Sequence, residues 1–238
     1  MADIESGYVL VKVDDQTEMA LFFARPGRGT QAPALIVLQE AFGVNDHIRE
    51  VTERCARAGY LAVAPELFHR TAERGFAGSY DNFSSVMQHF QAVTEESLAA
   101  DLRATLSWLQ RDSQCDAARI GAIGFCMGGR AAFFANAILP LRAAAAFYGG
   151  GIAPTYLPHA AHQHGPLLLI WGGLDQHIDL QQRHAVADAL RAADKNFVEV
   201  EYSDADHGFF CDARPSYNAF AASESWALTL AFFSNRMA

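Results

Sequence analysis

Apolar and polar positions follow two distinct patterns along the chain. Short, mostly apolar runs are typical of buried strands. They alternate with longer segments in which apolar residues recur every three to four positions, as in an amphipathic helix. The strand pattern occurs at YVLVKV (8–13), EMALFFA (18–24), ALIVLQ (34–39), YLAVA (60–64), RIGAIGF (119–125), AAAAFY (143–148), PLLLIW (166–171) and FVEVEY (197–202). The helical pattern occurs at 45–58, 93–111, 128–139, 180–193 and 216–236.

This alternation predicts an α/β fold. We expect a single domain over residues 1–238, with a mostly parallel eight-stranded sheet and helices on both faces. Such folds place their functional residues in the loops at the carboxyl ends of the strands. The segment 66–92 is the longest stretch that fits neither pattern, and we expect it to cap a site.

Composition and charge narrow the class of protein. Hydrophobic residues make up 51% of the chain and charged residues 19%, which excludes an intrinsically disordered protein. The net charge of −9 argues against nucleic acid or an anionic membrane as a partner. The acidic N-terminus lacks the layout of a signal peptide, and the apolar runs are too short to cross a bilayer. With four cysteines and no export signal, we expect reduced thiols and a cytoplasmic location. As to assembly, a monomer or small homo-oligomer is expected, and the sequence does not distinguish the two.

The strand at 119–125 runs directly into GFCMGG at 124–129, which matches the nucleophile-elbow pattern G-x-S-x-G with Cys126 in place of serine. Glycines on either side of the nucleophile allow close backbone approach in a tight turn. The amides of the following helix favour a thiolate. Two alternatives stay open. Cys126 is a small core residue, or the segment is a dinucleotide-binding loop, although the spacing G-x-G-x-x-G is absent.

An elbow nucleophile predicts an acid and then a histidine later in the chain, each in a loop after a strand. Asp175 follows the run 166–171, and His207 follows the run 197–202. His207 would accept the thiol proton of Cys126, while Asp175 would fix the tautomer of the imidazole. The alternatives in the same loops are Asp179, Asp206 and His177.

Acyl transfer also requires hydrogen-bond donors for the oxyanion. We expect one donor to be the backbone amide of Met127, directly after the nucleophile, and the other to lie near Glu40 and Ala41, after the strand 34–39. Glu40 ends an apolar run, where a buried carboxylate needs a partner. It either lies close to Cys126 and influences protonation of the thiol, or points to solvent.

Together these segments resemble the dienelactone hydrolase (carboxymethylenebutenolidase) family. The match spans about residues 8–235 and is carried by QEAFGVN (39–45), APELF (64–68), GFCMGG (124–129), GGLDQHI (172–178) and DHGFF (206–210). The resemblance implies an α/β-hydrolase fold. It implies that Cys126 is the nucleophile, His207 the base and Asp175 its orienting acid. It also implies that Glu40 contacts the resting thiol and that the amides of Ala41 and Met127 form the oxyanion hole.

One departure concerns the substrate. The resemblance implies an arginine four residues beyond the histidine to hold a substrate carboxylate, but this position is Cys211, which cannot make that contact. Arg214 lies three residues further on. A second arginine is expected before residue 90, where Arg70 and Arg74 occur. As substrate-binding residues we predict Arg74, Phe42 and Phe209.

We therefore expect a hydrolase that cleaves a lactone or small carboxylic ester through a thioester acyl-enzyme, without a cofactor. The alternatives are a non-catalytic or regulatory ligand-binding protein of the same fold and, less favoured, a thiol redox role for Cys126. No metal site is expected. The histidines at 159, 162 and 164 have neither zincin nor zinc-finger spacing, and we expect them to be exposed to solvent.

Overall fold

The computed structural model describes residues 3–27 and 31–238. The chain forms two compact units, an N-terminal unit up to Ile120 and a C-terminal unit from Gly121 onward. The expectation of a single domain stays a prediction.

The N-terminal unit contains four strands, ordered β1-β2-β4-β3, and the start of a fifth. β1 pairs with β2 and β2 with β4 in antiparallel fashion, whereas β3 and β4 are parallel. The strands are β1 (Ile4–Lys12), β2 (Glu18–Pro26), β3 (Ala32–Leu38) and β4 (Leu61–Pro65). The helices are α1 (Asp46–Arg57), α2 (Met87–Ala92) and α3 (Glu95–Arg111), with a short 3-10 turn at Phe83–Ser85.

The C-terminal unit is built on strands ordered β5-β6-β7-β8, all parallel. Every residue of β6 and β7 is buried, as expected for strands covered on both faces. The strands are β5 (Cys115–Phe125, which crosses the boundary of the units), β6 (Ala144–Phe147), β7 (Leu167–Gly172) and β8 (Phe197–Tyr202). The helices are α4 (Met127–Ile138), α5 (Leu180–Ala192) and α6 (Ala219–Arg236).

The predicted fold class, α/β with eight mostly parallel strands, is confirmed. Of the six strand pairings described above, four are parallel. All five predicted helices are present, most within two residues of the predicted bounds. Among the described residues, no helix has both the length and the hydropathy needed to span a lipid bilayer.

Three local predictions are corrected. β5 begins at Cys115 instead of 119, because only Cys115 among its first four residues (CDAA) is buried, so the start of the strand has no buried apolar run. The segment 66–92, which fits neither pattern in the sequence, contains the helix α2. This helix has only six residues, too few to show a helical period. The region around His159 is a 3-10 helix instead of a loop, and the ring of His159 is half-buried against Phe134, with 4.9 Å between the ring centroids.

A buried ion network ties the start of the 66–92 segment to α3. Asp101 on α3 is fully buried, and its carboxylate accepts two hydrogen bonds from the Arg70 guanidinium, at 2.8 and 2.9 Å. The Nε2 atom of His69 lies 3.1 Å from the same carboxylate, and Arg70 Nε donates to Asp15 at 2.7 Å. Arg70, one of the two arginines considered for the substrate, is thus bound by two aspartates of the protein itself.

Replacing Arg70 with methionine should destabilise the fold by about 3–5 kcal/mol, because it leaves the Asp101 carboxylate buried without its main counter-charge. The free energy of unfolding, measured by urea titration, tests this. Arg103→Met is the matched control, since Arg103 is exposed on α3, the helix that carries Asp101. Equal stability of the two variants would show that the ion network contributes little.

Candidate active site

The nucleophile elbow lies at the junction of β5 and α4. Cys126 directly follows β5 and has φ 55° and ψ −114°, a backbone conformation that side-chain-bearing residues rarely adopt. Its N–H donates to the carbonyl of Phe147 at 3.0 Å, which ties the turn to the end of β6. The side chain is partly exposed, so the thiol is not a fully buried core residue.

Gly124 is required by the tightness of this turn. A Cβ atom at this position would collide with the carbonyl oxygen of Gly128, one turn into α4. This is the close backbone approach that the sequence motif predicts. The contact is with backbone, which cannot move aside as a flexible side chain would.

The acid loop follows β7 and is organised around Asp175. The carboxylate is buried, and its Oδ1 accepts backbone N–H groups from His177 at 2.8 Å and Ile178 at 3.2 Å. Its Oδ2 lies 2.8 Å from Nδ1 of His207. Of the alternative acids, Asp179 caps the N-terminus of α5, and Asp206 accepts the backbone N–H of His207.

The loops after β7 and β8 are held together by main-chain contacts, which explains how two distant residues meet. Gly173 donates its N–H to the carbonyl of Tyr202, and Leu174 donates to the carbonyl of Ala205. Gly172 lies so close to Ala205 that a Cβ atom there would come within 2.6 Å of the carbonyl oxygen. The glycines of the GGLD segment therefore allow the acid loop to approach the histidine loop.

The imidazole of His207 is buried and contacted on several sides. Besides Asp175, its hydrogen-bond partners include the side chain of Cys126. The ring of Tyr148, which directly follows β6, packs against it edge-on at 5.1 Å between centroids, and the ring of His177 does so at 5.2 Å. The structure thus brings the three residues predicted from the elbow motif together within the C-terminal unit.

The charges of these groups are strongly coupled. Burial alone lowers the pKa of His207. The interactions with the Cys126 side chain and with Asp175 outweigh burial and raise the pKa from 6.5 to about 10. Burial raises the pKa of the Asp175 carboxyl, but the hydrogen bond and charge of His207, with the amide of His177, bring it below its ordinary value. At neutral pH Asp175 and His207 are therefore a carboxylate and an imidazolium.

The backbone amide of Met127 is one of the first four N–H groups of α4, for which the helix itself provides no acceptor. This agrees with the position expected of an oxyanion donor, but its role stays a prediction.

The remaining predicted donors and contacts lie in the N-terminal unit. Glu40 and Ala41, after β3, are both buried, so Glu40 does not point to solvent. Phe42 is nearly buried as well. It packs edge-on against Tyr80 at 4.6 Å between ring centroids, and its carbonyl accepts the N–H of Gly78. The 66–92 segment therefore covers the loop after β3. The roles predicted for Glu40, Ala41 and Phe42 stay predictions.

The other predicted substrate contacts differ in exposure. Arg74 is exposed and lines a cavity of about 170 Å³ in the N-terminal unit, together with Glu66 and His69. Phe209 is fully buried and packs against Tyr148 at 5.3 Å between ring centroids, so it supports the ring that contacts His207. Cys211 is also fully buried. A substrate-binding role for Arg74 and Phe209 stays a prediction.

Sequence reasoning missed Tyr148 and gave His177 only as an alternative base. Tyr148 is the first residue after β6, and its φ of +36° aims a fully buried ring at His207. Its position after a predicted strand is the signal that could have identified it. In the C-terminal unit, all of which the structure describes, no three His, Cys, Asp or Glu side chains gather as metal ligands.

The elbow geometry predicts that Gly124→Ala destabilises the protein by about 3 kcal/mol, because the added methyl group meets backbone. Gly150→Ala is the matched control, since the nearest side-chain atoms to its Cβ lie at an ordinary 3.7 Å. Thermal unfolding of both variants tests the prediction. A Gly124→Ala protein as stable as Gly150→Ala would show that the turn relaxes freely.

The pKa of His207 predicts that its imidazole remains protonated through neutral pH and loses its proton near pH 10. Asp175→Asn should move this midpoint down toward 6.5, because it removes one of the interactions that raise the pKa. Titration of the ring by NMR tests both statements. Asp179→Asn is the control, because asparagine also caps helices and Asp179 does not contact the ring. A midpoint near 6.5 in the unmodified protein would contradict the ion pair.

This chain is similar to known proteins over most of its length. The family model described as "Dienelactone hydrolase family" matches residues 19–237. A protein from Synechocystis with the provisional name carboxymethylenebutenolidase is 36% identical over 91% of this chain and 92% of its own length.

Solved structures with a similar fold include a dienelactone hydrolase-type protein and a more distant neighbour. A crystal structure from Klebsiella pneumoniae, provisionally described as a dienelactone hydrolase, is 32% identical, with a TM-score of 0.88 over 98% of this chain and 99% of that one. A dienelactone hydrolase-like phosphotriesterase from metagenomic libraries is 24% identical, covers both chains fully with a TM-score of 0.85, and shows the fold alone. The α/β-hydrolase fold expected from the sequence is confirmed, and the chain is a hydrolase that belongs to the dienelactone hydrolase family.

Proposed function

We propose that this hydrolase cleaves a lactone or small carboxylic ester with Cys126 as nucleophile, His207 as base and Asp175 as the residue that orients the histidine. The observation that carries the proposal is the buried series of hydrogen bonds from Asp175 through His207 to Cys126. Each of the three residues lies in a turn or loop after a different parallel strand. A thiolate paired with an imidazolium is an activated nucleophile at neutral pH.

In the first half of the reaction, the Sγ atom of Cys126 attacks the carbonyl carbon of the substrate and a tetrahedral oxyanion forms. The C–O bond then breaks, and the leaving oxygen takes the proton held by the His207 imidazolium. The product is a thioester on Cys126 and, for a lactone, a hydroxyl group that stays attached to the acyl chain. Asp175 keeps the imidazole in the tautomer that presents Nε2 to the reacting atoms.

In the second half, His207 takes a proton from water, and the resulting hydroxide adds to the thioester carbon. The C–S bond breaks, which releases the carboxylic acid and restores the thiolate beside the imidazolium. We propose that the amide of Met127 stabilises the oxyanion in both steps, since an N–H at a helix N-terminus favours negative charge. The contributions of Glu40 and the Ala41 amide remain those expected from the family resemblance.

The substrate need not carry a carboxylate. Where the resemblance implies an arginine, this chain has Cys211, which is fully buried and cannot make the bidentate contact of a guanidinium. Arg70 is held by Asp101 and Asp15 and is not available as a replacement. These facts favour a neutral lactone or ester over the carboxylated lactone.

Cys126→Ala should lower kcat/KM by about 10³-fold or more on short aryl esters and lactones, because it removes the nucleophile itself. Cys115→Ala is the matched control, since this buried cysteine begins β5 and has no place in the reaction. Mass spectrometry during turnover of a slow ester should detect an acyl group on Cys126. Equal activity of the Cys126→Ala variant and the unmodified protein would overturn the mechanism.

A second experiment compares the rates at which the protein hydrolyses a carboxylated lactone and the neutral methyl ester of the same lactone. Preference for the neutral compound would show that the carboxylate anchor is lost, and preference for the acid would show that other residues replace it. Thermal stabilisation by these compounds without turnover of any of them would contradict the proposed hydrolysis and support a ligand-binding role.

A further inference from the structure

We propose that His177 is a positioning residue, whose ring covers the solvent side of the hydrogen bond between His207 and Asp175. The proposal deepens the proposed function and rests on it, because it concerns the same base and acid. It assigns a role to the side chain of His177, separate from the role of its backbone amide.

The first observation is the contact between the two histidine rings. The centroids lie 5.2 Å apart and the planes are inclined by 78°, which is an edge-to-face arrangement. His177 is exposed, whereas the side chain of His207 is only 10% exposed and that of Asp175 only 1%. The exposed ring of His177 therefore packs against a base that is itself almost fully buried.

The second observation is that the backbone fixes His177 relative to the acid. Its N–H donates to Oδ1 of Asp175 at 2.8 Å, and the next N–H, from Ile178, donates to the same oxygen at 3.2 Å. The side chain of Ile178 is buried, which anchors the loop. The ring of His177 is thus attached to the loop that the Asp175 carboxylate itself organises.

A second ring contact of His207 is made by Tyr148, which is fully buried. Of the two rings that contact the base, His177 is therefore the one that is exposed to water. The titratable or charged groups around this arrangement are Asp175 and Asp179 in the loop of His177 and α5, His207 and Asp206 after β8, Tyr148 after β6, and Cys126 at the elbow.

The physical consequence concerns the strength of the Asp175–His207 interaction. Hydrogen bonds and charge interactions weaken as water enters, because the local dielectric constant rises. The interactions that raise the pKa of His207 to about 10 should then weaken, and so should the effect of burial, which lowers it. Because both effects become smaller, the pKa should move down toward its ordinary value of 6.5. An imidazole that is less firmly held is also a poorer base for the thiol.

The experiment compares His177→Ala, which removes the ring but keeps the backbone amide, with His177→Phe, which keeps a ring of similar shape. Gln176→Ala is the matched control, since Gln176 is the exposed neighbour in the same loop. For His177→Ala we expect the NMR midpoint of His207 to fall by about one pH unit, and kcat to fall about tenfold with a smaller change in KM. His177→Phe and Gln176→Ala should remain within about twofold of the unmodified protein in kcat.

An unchanged His207 midpoint in His177→Ala would overturn the proposal, as would an equal loss in His177→Phe, which would point to hydrogen bonding by the imidazole. The titration of His207 and the rate of Cys126 alkylation by iodoacetamide at varied pH need no ester turnover. If the unmodified protein hydrolyses no ester, the proposed function fails while the effect of His177 on these two measurements is still decided.

Discussion

The hydrogen bond between Nδ1 of His207 and Oδ2 of Asp175 joins two ionised groups that are almost entirely withdrawn from water. A buried carboxylate without partners would cost several kcal/mol, so its position depends on every group that offsets the loss of solvent. Two backbone amides occupy one oxygen of Asp175, and the imidazolium occupies the other. Interactions with Asp175 and with Cys126 in turn raise the pKa of the imidazole. Loss of the histidine would therefore leave the Asp175 carboxylate buried without its counter-charge.

Two residues at neighbouring strand ends have strained backbone conformations in this arrangement. Cys126 directly follows β5 and Tyr148 directly follows β6, and both have positive φ, which costs about 1–3 kcal/mol for each non-glycine residue. The two positions are linked, since the Cys126 N–H donates to the Phe147 carbonyl at the end of β6. Because β6 and β7 are buried throughout, the packing of these strands holds the strained residues in place. A rigid scaffold of this kind fixes the position of the Cys126 thiol, as the proposed mechanism requires.

Much of the scaffold follows from local sequence. β6 and β7 are continuous apolar runs bounded by turn residues, and the length of such runs is enough to predict buried strands. The elbow can also be predicted from local sequence. The collision that a Cβ atom at Gly124 would make is with Gly128, only four positions further along the chain. The contacts of Tyr148 and His177 with His207 are different. They depend on which loops approach each other after β6, β7 and β8, and no periodicity or spacing in a single segment contains that information. For the same reason, the sequence alone does not decide whether Asp175 or Asp179 pairs with the histidine.

The turn that follows His207 is closely packed around Cys211. Cys211 donates its N–H to the carbonyl of Gly208, and Arg214 donates to the carbonyl of Cys211, so the chain turns back on itself directly after His207. The Arg214 guanidinium consequently lies against Gly208, where a Cβ atom would collide with it. An arginine introduced at 211 would start from a site with no exposed surface, and its charge would need a partner or a path to water. The buried cysteine is therefore part of the packing of this turn, and an arginine at this position would require the turn to be packed differently.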